Sequence, residues 1–241
     1  MKKLILAFML ATAPMLGMAA GGGVHLDHAD IDLDDKESLQ RGFKYFVNYC
    51  LSCHSAKYQR FGRTADDLGL THDEVKANLM FTADKIGETM EIAMSAEEAT
   101  GFFGVTPPDL SVTTRSRGTD WVYTYLRSFY LDDSKATGVN NITFPDVGMP
   151  HVLWELQGYQ KAKFTEHDGR KTFEKFEPGT PGSMTTEQYD AAILDLVNFM
   201  TYLGDPSQQV RKALGVKVIL FLMVLFVLAY LLKKEYWKDI H

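Results

Sequence analysis

The chain contains a Cys-x-x-Cys-His motif, Cys50–His54, and these residues are its clearest candidates for chemistry. The pattern is typical of the attachment of a c-type haem. In a helical segment Cys50, Cys53 and His54 stand at i, i+3 and i+4 and face the same side. Two thiols can then bond to the vinyl groups of one porphyrin while the imidazole reaches its iron. The motif predicts one covalently bound haem c, attached at both cysteines and ligated by His54.

The cysteines of the motif are the only two in the chain, which bears on the other interpretations of the motif. A structural zinc site needs about four ligands, and the sequence has no second Cys pair to supply them. A thioredoxin-like dithiol does not require the following His and is expected near a βαβ pattern. Covalent haem is therefore the favoured interpretation.

A six-coordinate haem needs a second axial ligand, usually Met or His. Met149 lies in the stretch Phe144–Pro150, where the prolines restrict the backbone and Gly148 permits close approach to a flat ring. A thioether in such an irregular loop has little structural reason to be there, whereas Met in helices is more often core filler. We predict Met149 as the second ligand, with His151 as the alternative. Met ligation raises the reduction potential relative to two His ligands.

The motif requires a scaffold, and the hydrophobic periodicity predicts a mostly α-helical one. A helix is expected from Ser38 into the motif, and another over Asp120–Tyr130. A last soluble helix follows Thr185, which forms a capping-box pattern with Gln188. The remaining predictions are short helices near Thr71–Met80 and Ala83–Met94, a loop over Tyr58–Gly69, irregular structure over 95–118, and a loop-rich stretch over 131–183 with a hairpin around Gly158–Phe176.

Both ends of the chain indicate export and a membrane. Residues 1–20 have the charged start, apolar run and small-residue end of a signal peptide. Residues 213–232 are almost entirely apolar, and at about 1.5 Å per residue they match one bilayer crossing. A buried core helix is the alternative for this second stretch. The predicted organisation is a signal peptide (1–20), an exported haem domain (21–205), and an anchor with a short cytoplasmic tail (206–241).

The net charge of −6 is unevenly distributed along the chain. Residues 20–210 hold 17 basic and 29 acidic side chains, a net charge of −12. Such a field disfavours nucleic acid and would steer a basic partner towards the domain. Solubility alone is an equally good explanation of the charge.

The motifs together resemble the cytochrome c1 family, whose members carry the haem of the quinol–cytochrome c oxidoreductase, or bc1, complex. The resemblance covers about residues 36–235. It rests on the combination of the signal, the early haem motif, the Met149 loop (Phe144–Pro150) and the anchor. Shorter matches support it: Arg41–Phe43, Tyr58, the Pro-Pro-Asp-Leu-Ser segment Pro107–Ser111, Arg115, Arg117 and Gly179–Pro181. It implies a cytochrome c-like haem domain with loop-rich insertions and one C-terminal transmembrane helix. The short tail resembles bacterial members.

The resemblance also implies roles for individual residues. Cys50 and Cys53 would form the thioether links, with His54 and Met149 as axial ligands. The Pro107–Pro108 carbonyl region would accept the Nδ1–H of His54 and fix the orientation of the ring. Arg117 matches a residue that meets a haem propionate, with a solvated surface charge as the alternative.

The function implied is one-electron transport in a respiratory chain. Electrons would pass from a Rieske iron–sulfur protein to a cytochrome c, and quinol would be oxidised on cytochrome b, so that this chain has no substrate chemistry of its own. The family implies a dimeric complex in the bacterial inner membrane, with the haem domain in the periplasm. The alternatives are another membrane-anchored c-type cytochrome, and a haem-based sensor or peroxidase with an open sixth position.

Overall fold

The structure is a computed structural model that describes residues 24–167 and 170–239. The predicted signal peptide, residues 1–20, lies outside this part of the chain. About half of the described part is helical, which confirms the predicted mostly α fold class, and its strands form two-stranded antiparallel sheets. The helices are α1 (Lys36–Tyr45), α2 (Phe61–Leu68), α3 (His72–Asn78), α4 (Ala96–Phe103), α5 (Thr113–Arg117), α6 (Thr119–Arg127), α7 (Trp154–Gln157), α8 (Thr186–Gly204) and α9 (Gln208–Tyr236). The strands are β1 (Ala56–Arg60), β2 (Thr89–Met90), β3 (Phe129–Leu131), β4 (Val139–Asn141), β5 (Gly158–His167) and β6 (Arg170–Pro181).

The core forms where α1 crosses α8. Gly42 permits the close approach, since a Cβ there would lie 2.0 Å from the carbonyl oxygen of Asp195. The rings of Phe43 and Phe199 stack at this crossing with centroids 5.0 Å apart. Arg41 binds the Asp195 carboxylate at 2.6 Å beside them. The helix that leads into the haem motif is thus fixed to the last soluble helix.

Both of these helices follow the sequence prediction. The Asp35 carboxylate caps α1 by accepting the backbone N–H of Ser38. Thr185 and Gln188 form the predicted capping box at the start of α8. The one departure is a π-helical segment, Phe46–Cys50, which continues α1 directly into the motif.

The segment Tyr58–Gly69, predicted as a loop, is instead β1 followed by α2. Phe61, Ala65 and Leu68 of α2 are buried, at the i, i+4, i+7 spacing of one helical face, and Gly69 ends the helix in the left-handed conformation. The charges that made the segment look like a loop lie on its outer side. A short amphipathic helix of this kind is easily missed when its polar face is highly charged.

The helix predicted over Ala83–Met94 is also wrong, since this stretch is turns and the strand β2. The backbone N–H groups of Phe61 and Gly62, at the start of α2, donate to the carbonyls of Glu88 and Ile86. Tertiary hydrogen bonds have replaced helical ones here. Residues 95–118, predicted as irregular, contain α4 and α5 on either side of an irregular stretch. The prediction near Thr71–Met80 is confirmed as α3, with a capping box between Thr71 and Glu74.

Residues 131–183 are rich in loops, as predicted, and carry the long hairpin β5–β6. The hairpin extends beyond the predicted bounds to Pro181. Strands β3 and β4 pair ahead of it and bring Phe129 opposite Asn141. This pairing places the start of the Met149 loop beside the end of α6.

The C-terminal helix α9 is long and apolar enough to cross a membrane, and none of its residues is buried. The alternative of a buried core helix is therefore wrong. A single-pass membrane anchor fits this helix.

Candidate haem-binding site

A cavity of about 390 Å³ lies between the haem motif and the Met149 loop. Its lining is mainly apolar, with aromatic, proline and aliphatic side chains from α6, the 103–113 stretch and the 144–152 loop. Cys50, Cys53 and His54 lie on one side, and Met149 lines the same cavity from a distant part of the chain. The fold thus brings together four side chains that could bind a haem.

The turn that ends the π-helical segment directs the motif into the cavity. The N–H groups of Cys53 and His54 both donate to the carbonyl of Cys50, at 3.1 and 2.9 Å. One helical turn therefore continues through the motif and keeps the three reactive side chains on one side, as the spacing predicts. Cys50 and Cys53 form no disulfide with each other. Burial raises the pKa of Cys50 to about 12, so its thiol is uncharged at neutral pH before a haem is attached.

The orientation of His54 is fixed by the backbone of the Pro-Pro-Asp-Leu-Ser segment. Nδ1 of His54 lies 2.7 Å from the carbonyl oxygen of Pro108, which can only accept, so Nδ1 carries the proton and Nε2 keeps its lone pair. Burial lowers the pKa of His54, which favours the neutral, metal-binding form. A metal-ligating histidine usually has a carbonyl or carboxylate partner on the ring nitrogen that does not bind the metal.

The Pro108 carbonyl is itself held against the residues that follow the motif. Asp109 accepts the N–H of Lys57 at 3.0 Å, and the Ser111 hydroxyl accepts the N–H of Tyr58 at 3.2 Å. The N–H of Leu110 donates to the carbonyl of Ser55 at 2.8 Å. The segment acts as a short brace beside His54, which gives its polar residues a structural role.

Met149 lines the cavity from a loop without regular structure. Its sulfur accepts a hydrogen bond from the Tyr125 hydroxyl at 3.3 Å. His151, the alternative ligand, does not line the cavity but stacks on Phe129, with ring centroids 5.0 Å apart. The fold therefore presents a thioether, and not a second imidazole, towards the motif.

Two buried asparagines hold the Met149 loop in place. The side-chain oxygen of Asn141 accepts the N–H groups of Thr143 and Phe144, and its Nδ2 donates to the carbonyl of Tyr125 at 2.8 Å. Asn140 accepts the N–H of Asp146, the one described non-glycine residue with a positive φ, at 61°. These amides replace the hydrogen bonds that a regular element would supply.

Arg117 stands at the edge of the cavity with its guanidinium over two aromatic rings. Its Cζ lies 5.1 Å from the ring centroid of Trp121 and 5.9 Å from that of Phe144. These rings hold the cation in place while it stays exposed to solvent. An anionic group at the rim of the cavity would meet this charge.

The chemistry of this donor set fits a haem c. A flat apolar macrocycle suits an apolar cavity, two thiols suit thioether bonds, and an imidazole and a thioether facing one cavity suit the two axial positions. An arginine at the rim suits a propionate. When bound, the haem supplies one-electron chemistry, and the chain holds and orients it and excludes water from it.

All six sequence-predicted site residues, Cys50, Cys53, His54, Pro108, Arg117 and Met149, line this one cavity. Sequence reasoning missed Tyr125 and Asn141 as site residues. Tyr125 stood out only as an apolar position on a predicted helix, where it follows Trp121 at i+4 and stacks on it at 5.0 Å. Asn141 falls in the stretch 131–183 that is predicted to be rich in loops, and a buried asparagine leaves no periodic signal.

Comparison with known proteins agrees with this chemistry. The sequence model of the Cytochrome C1 family matches residues 30–240. Cytochrome c1 of Allochromatium vinosum is 51% identical over the whole of both chains. The ammonia monooxygenase gamma subunit of Nitrosomonas europaea is also 51% identical, over all of this chain and 98% of its own. The cytochrome b/c1 of Bradyrhizobium diazoefficiens is 26% identical. The matched region makes up 86% of this chain and 34% of that protein.

The family match covers most of the described chain, and its members carry one covalently bound haem c. The relationship to cytochrome c1 and cytochrome b/c1 proteins implies a bc1 complex that includes cytochrome b. The chain belongs to the cytochrome c1 family, as a membrane-anchored haem c subunit that transfers electrons in the bc1 complex.

Proposed function

We propose that the chain holds its haem through Cys50 and Cys53, ligates the iron with His54 and Met149, and passes single electrons from the Rieske iron–sulfur protein to a cytochrome c. The observation that carries the proposal is that four ligand-type side chains from two distant segments line one apolar cavity. His54 and Met149 would hold the iron from its two sides, and the bound haem would supply one-electron chemistry without a site for substrate. Each turnover takes up one electron and releases one.

The geometry around His54 supports the assignment of the ligands. The Pro108 carbonyl fixes the proton on Nδ1, so Nε2 is the nitrogen left to bind iron. Arg117, exposed at the rim and held over Trp121, would pair with a propionate. Loss of either contact would leave the haem attached but change its electronic environment.

The orientation in the membrane follows from the site of haem attachment, since c-type haem is attached on the outer side of bacterial membranes. The haem domain, residues 21–205, would lie in the periplasm after the signal peptide is removed. Helix α9 would cross the inner membrane and leave a short tail in the cytoplasm. The complex would be a dimer, as the family resemblance implies.

The partner that accepts electrons is proposed to be a basic cytochrome c. The candidates for the acidic surface that would attract it are Asp66, Asp67, Glu97, Glu98, Asp132 and Asp133. Several of these side chains are hydrogen-bonded within the chain. Asp67 accepts from Arg63 and from the Tyr202 hydroxyl, and Glu98 caps α4. Glu97 is exposed on α4, whose last residue, Phe103, lines the haem cavity, and so it is a candidate to attract a basic acceptor.

Transient kinetics on the purified complex tests the order of electron transfer. Quinol mixed with oxidised complex should reduce the c-type haem only when the Rieske protein is present, and added basic cytochrome c should then reoxidise it. Reoxidation should slow as ionic strength rises, because salt screens the acidic surface. Haem reduction that persists without the Rieske protein would overturn the proposed donor, and an unchanged reoxidation rate in salt would overturn the charge-steered acceptor.

Two further observations separate this function from its rivals. Cytochrome b and a Rieske protein should co-purify with the chain, whereas co-purification with a monooxygenase would indicate a different electron acceptor. Ferrous protein should not bind carbon monoxide, since Met149 fills the sixth position. Ready binding would favour a sensor or peroxidase.

A further inference from the structure

The Tyr125 hydroxyl has a position in the site that the electron-transfer function does not by itself require. It donates a hydrogen bond to the sulfur of Met149, 3.3 Å away. Among the described residues, this is the only hydrogen bond that the hydroxyl makes. A tyrosine hydroxyl carries its proton at physiological pH, so it can act as the donor here. A thioether sulfur is a weak acceptor with no proton of its own, so the direction of the bond is fixed.

The Tyr125 ring is clamped in place by its neighbours. Trp121 stacks on it with centroids 5.0 Å apart and planes within 7° of parallel, and Phe129 meets it edge-on at 5.2 Å. The clamp leaves the hydroxyl little freedom to turn away from the cavity. A rigid aromatic donor can therefore hold a partner in one orientation.

The backbone of Tyr125 is tied to the same loop as its hydroxyl. Asn141 donates to the Tyr125 carbonyl at 2.8 Å and also accepts the N–H groups of Thr143 and Phe144, which open the Met149 loop. Tyr125 is thus linked to the Met149 loop twice. Its carbonyl is linked through Asn141 to the start of the loop, and its hydroxyl binds the Met149 sulfur. Helix α6 and the Met149 loop form one unit through this residue.

We propose that Tyr125 is a positioning residue that sets the reduction potential by donating a hydrogen bond to the Met149 sulfur. The inference rests on the proposed role of Met149 as an axial ligand. A hydrogen bond withdraws electron density from the sulfur and makes it a weaker donor to the iron. Since the oxidised iron gains more from an electron-rich ligand than the reduced iron does, the bond favours the reduced state and raises the potential.

The proposed step involves one electron and no change in covalent bonds. Tyr125 would keep its proton while the bound haem takes up one electron from the Rieske protein and passes it to the cytochrome c. The hydrogen bond also fixes which lone pair of the sulfur faces the cavity. Its removal is expected to change the potential without removing the ligand.

The test compares Tyr125→Phe with Tyr202→Phe in the complete complex. Tyr202 is a matched control because its hydroxyl is also buried and hydrogen-bonded, to Asp67 at 2.7 Å, but it does not line the haem cavity. Two readouts are taken, the midpoint potential of the c-type haem and the sulfur-to-iron charge-transfer absorption of the ferric protein. Covalent haem content measures assembly.

Tyr125→Phe should keep the charge-transfer absorption and lower the equilibrium constant for reduction about two- to five-fold, which corresponds to roughly 20–40 mV. Tyr202→Phe should leave the potential unchanged. A potential for Tyr125→Phe that equals that of the control, or exceeds it, overturns the proposal. If Tyr125→Phe does not assemble, 3-fluorotyrosine at position 125 replaces it. The fluorinated hydroxyl is a stronger donor, so the potential should rise, and a potential that stays or falls overturns the proposal.

The same measurements on Met149→Leu separate the tuning role of Tyr125 from the ligand role of Met149, on which it rests. If Met149→Leu keeps the charge-transfer absorption, then Met149 is not the ligand and the site assignment fails. If Met149→Leu loses that absorption while Tyr125→Phe leaves the potential unchanged, then the site stands and only the tuning role of Tyr125 fails.

Discussion

The two walls of the haem cavity are built in opposite ways. The His54 wall is local, since five consecutive residues on one continued helical turn supply both thiols and the imidazole. The Met149 wall lies 95 positions further along the chain in an irregular loop, held by Asn140 and Asn141 and by Tyr125. A local wall forms wherever its helix forms, whereas the distant wall forms only when the whole domain is folded. The difference suggests that the attachment of the haem and its ligation by sulfur can be separated by mutation.

The largest effect is expected on the local wall. Replacement of both Cys50 and Cys53 by serine should abolish covalent haem, because no other cysteine exists in the chain. The measurement is haem staining after denaturing electrophoresis, together with the alkaline pyridine haemochrome spectrum. Ser52→Ala, inside the same motif, should keep full staining. Covalent haem that survives the double replacement would contradict the assignment of the motif.

The distant wall is tested by Asn141→Ala. This change leaves the N–H groups of Thr143 and Phe144 without their partner and removes one of the donors to the carbonyl of Tyr125, at a cost of about 2–4 kcal/mol. In a urea titration the sulfur-to-iron absorption should disappear at lower urea than in the unmodified protein, while the haem stays covalently attached.

The matched control for this prediction is Asn78→Ala. Asn78 is exposed and its amide donates only to a carbonyl of its own helix, so the change should stay within about 0.5 kcal/mol. Equal midpoints for the two variants would show that the buried amides do not support the distant wall, and the contrast between the two walls would then be wrong.

The contrast between the walls also explains what the sequence could predict. Cys50, Cys53 and His54 were predictable because their chemistry depends on spacing within one helical turn. Met149 was predictable only because prolines and a glycine make a thioether unusual there, and the sequence left His151 as its rival. The fold places Met149 in the lining of the cavity and buries His151 against Phe129, which supports the prediction of Met149.

The helices show the same dependence on local signals. Helix α8 was predicted correctly because its capping box and apolar stripe are both local patterns. Helix α2 was missed because its charged face hid the spacing of Phe61, Ala65 and Leu68. The stretch Ala83–Met94 was predicted as a helix because its tertiary hydrogen bonds to the start of α2 leave no trace in the sequence. The positions of Tyr125 and Asn141 beside Met149 depend on tertiary pairing in the same way.

The smallest expected effect concerns the rim, where the two walls meet. Arg117→Gln removes a positive charge that opposes oxidation of the iron, so the midpoint potential should fall, by about 10–20 mV at low salt. The shift should shrink as salt is added, because the arginine is exposed. Lys57→Gln, an exposed cation that does not line the cavity, is the control and should leave the potential unchanged. Equal potentials for the two variants would show that Arg117 is an ordinary solvent-exposed charge that does not pair with a propionate.

The most direct test of the account is the ferric and ferrous spectrum of Met149→Leu beside Met184→Leu. Met184 is half-buried against the core but does not line the haem cavity, so its replacement controls for the loss of a thioether from the domain. Met149→Leu should keep covalent haem, lose the sulfur-to-iron absorption and the low-spin ferric spectrum, and bind carbon monoxide in the ferrous state, while Met184→Leu should change none of these. A low-spin spectrum with intact sulfur-to-iron absorption in Met149→Leu would contradict the assignment of Met149 as the second ligand.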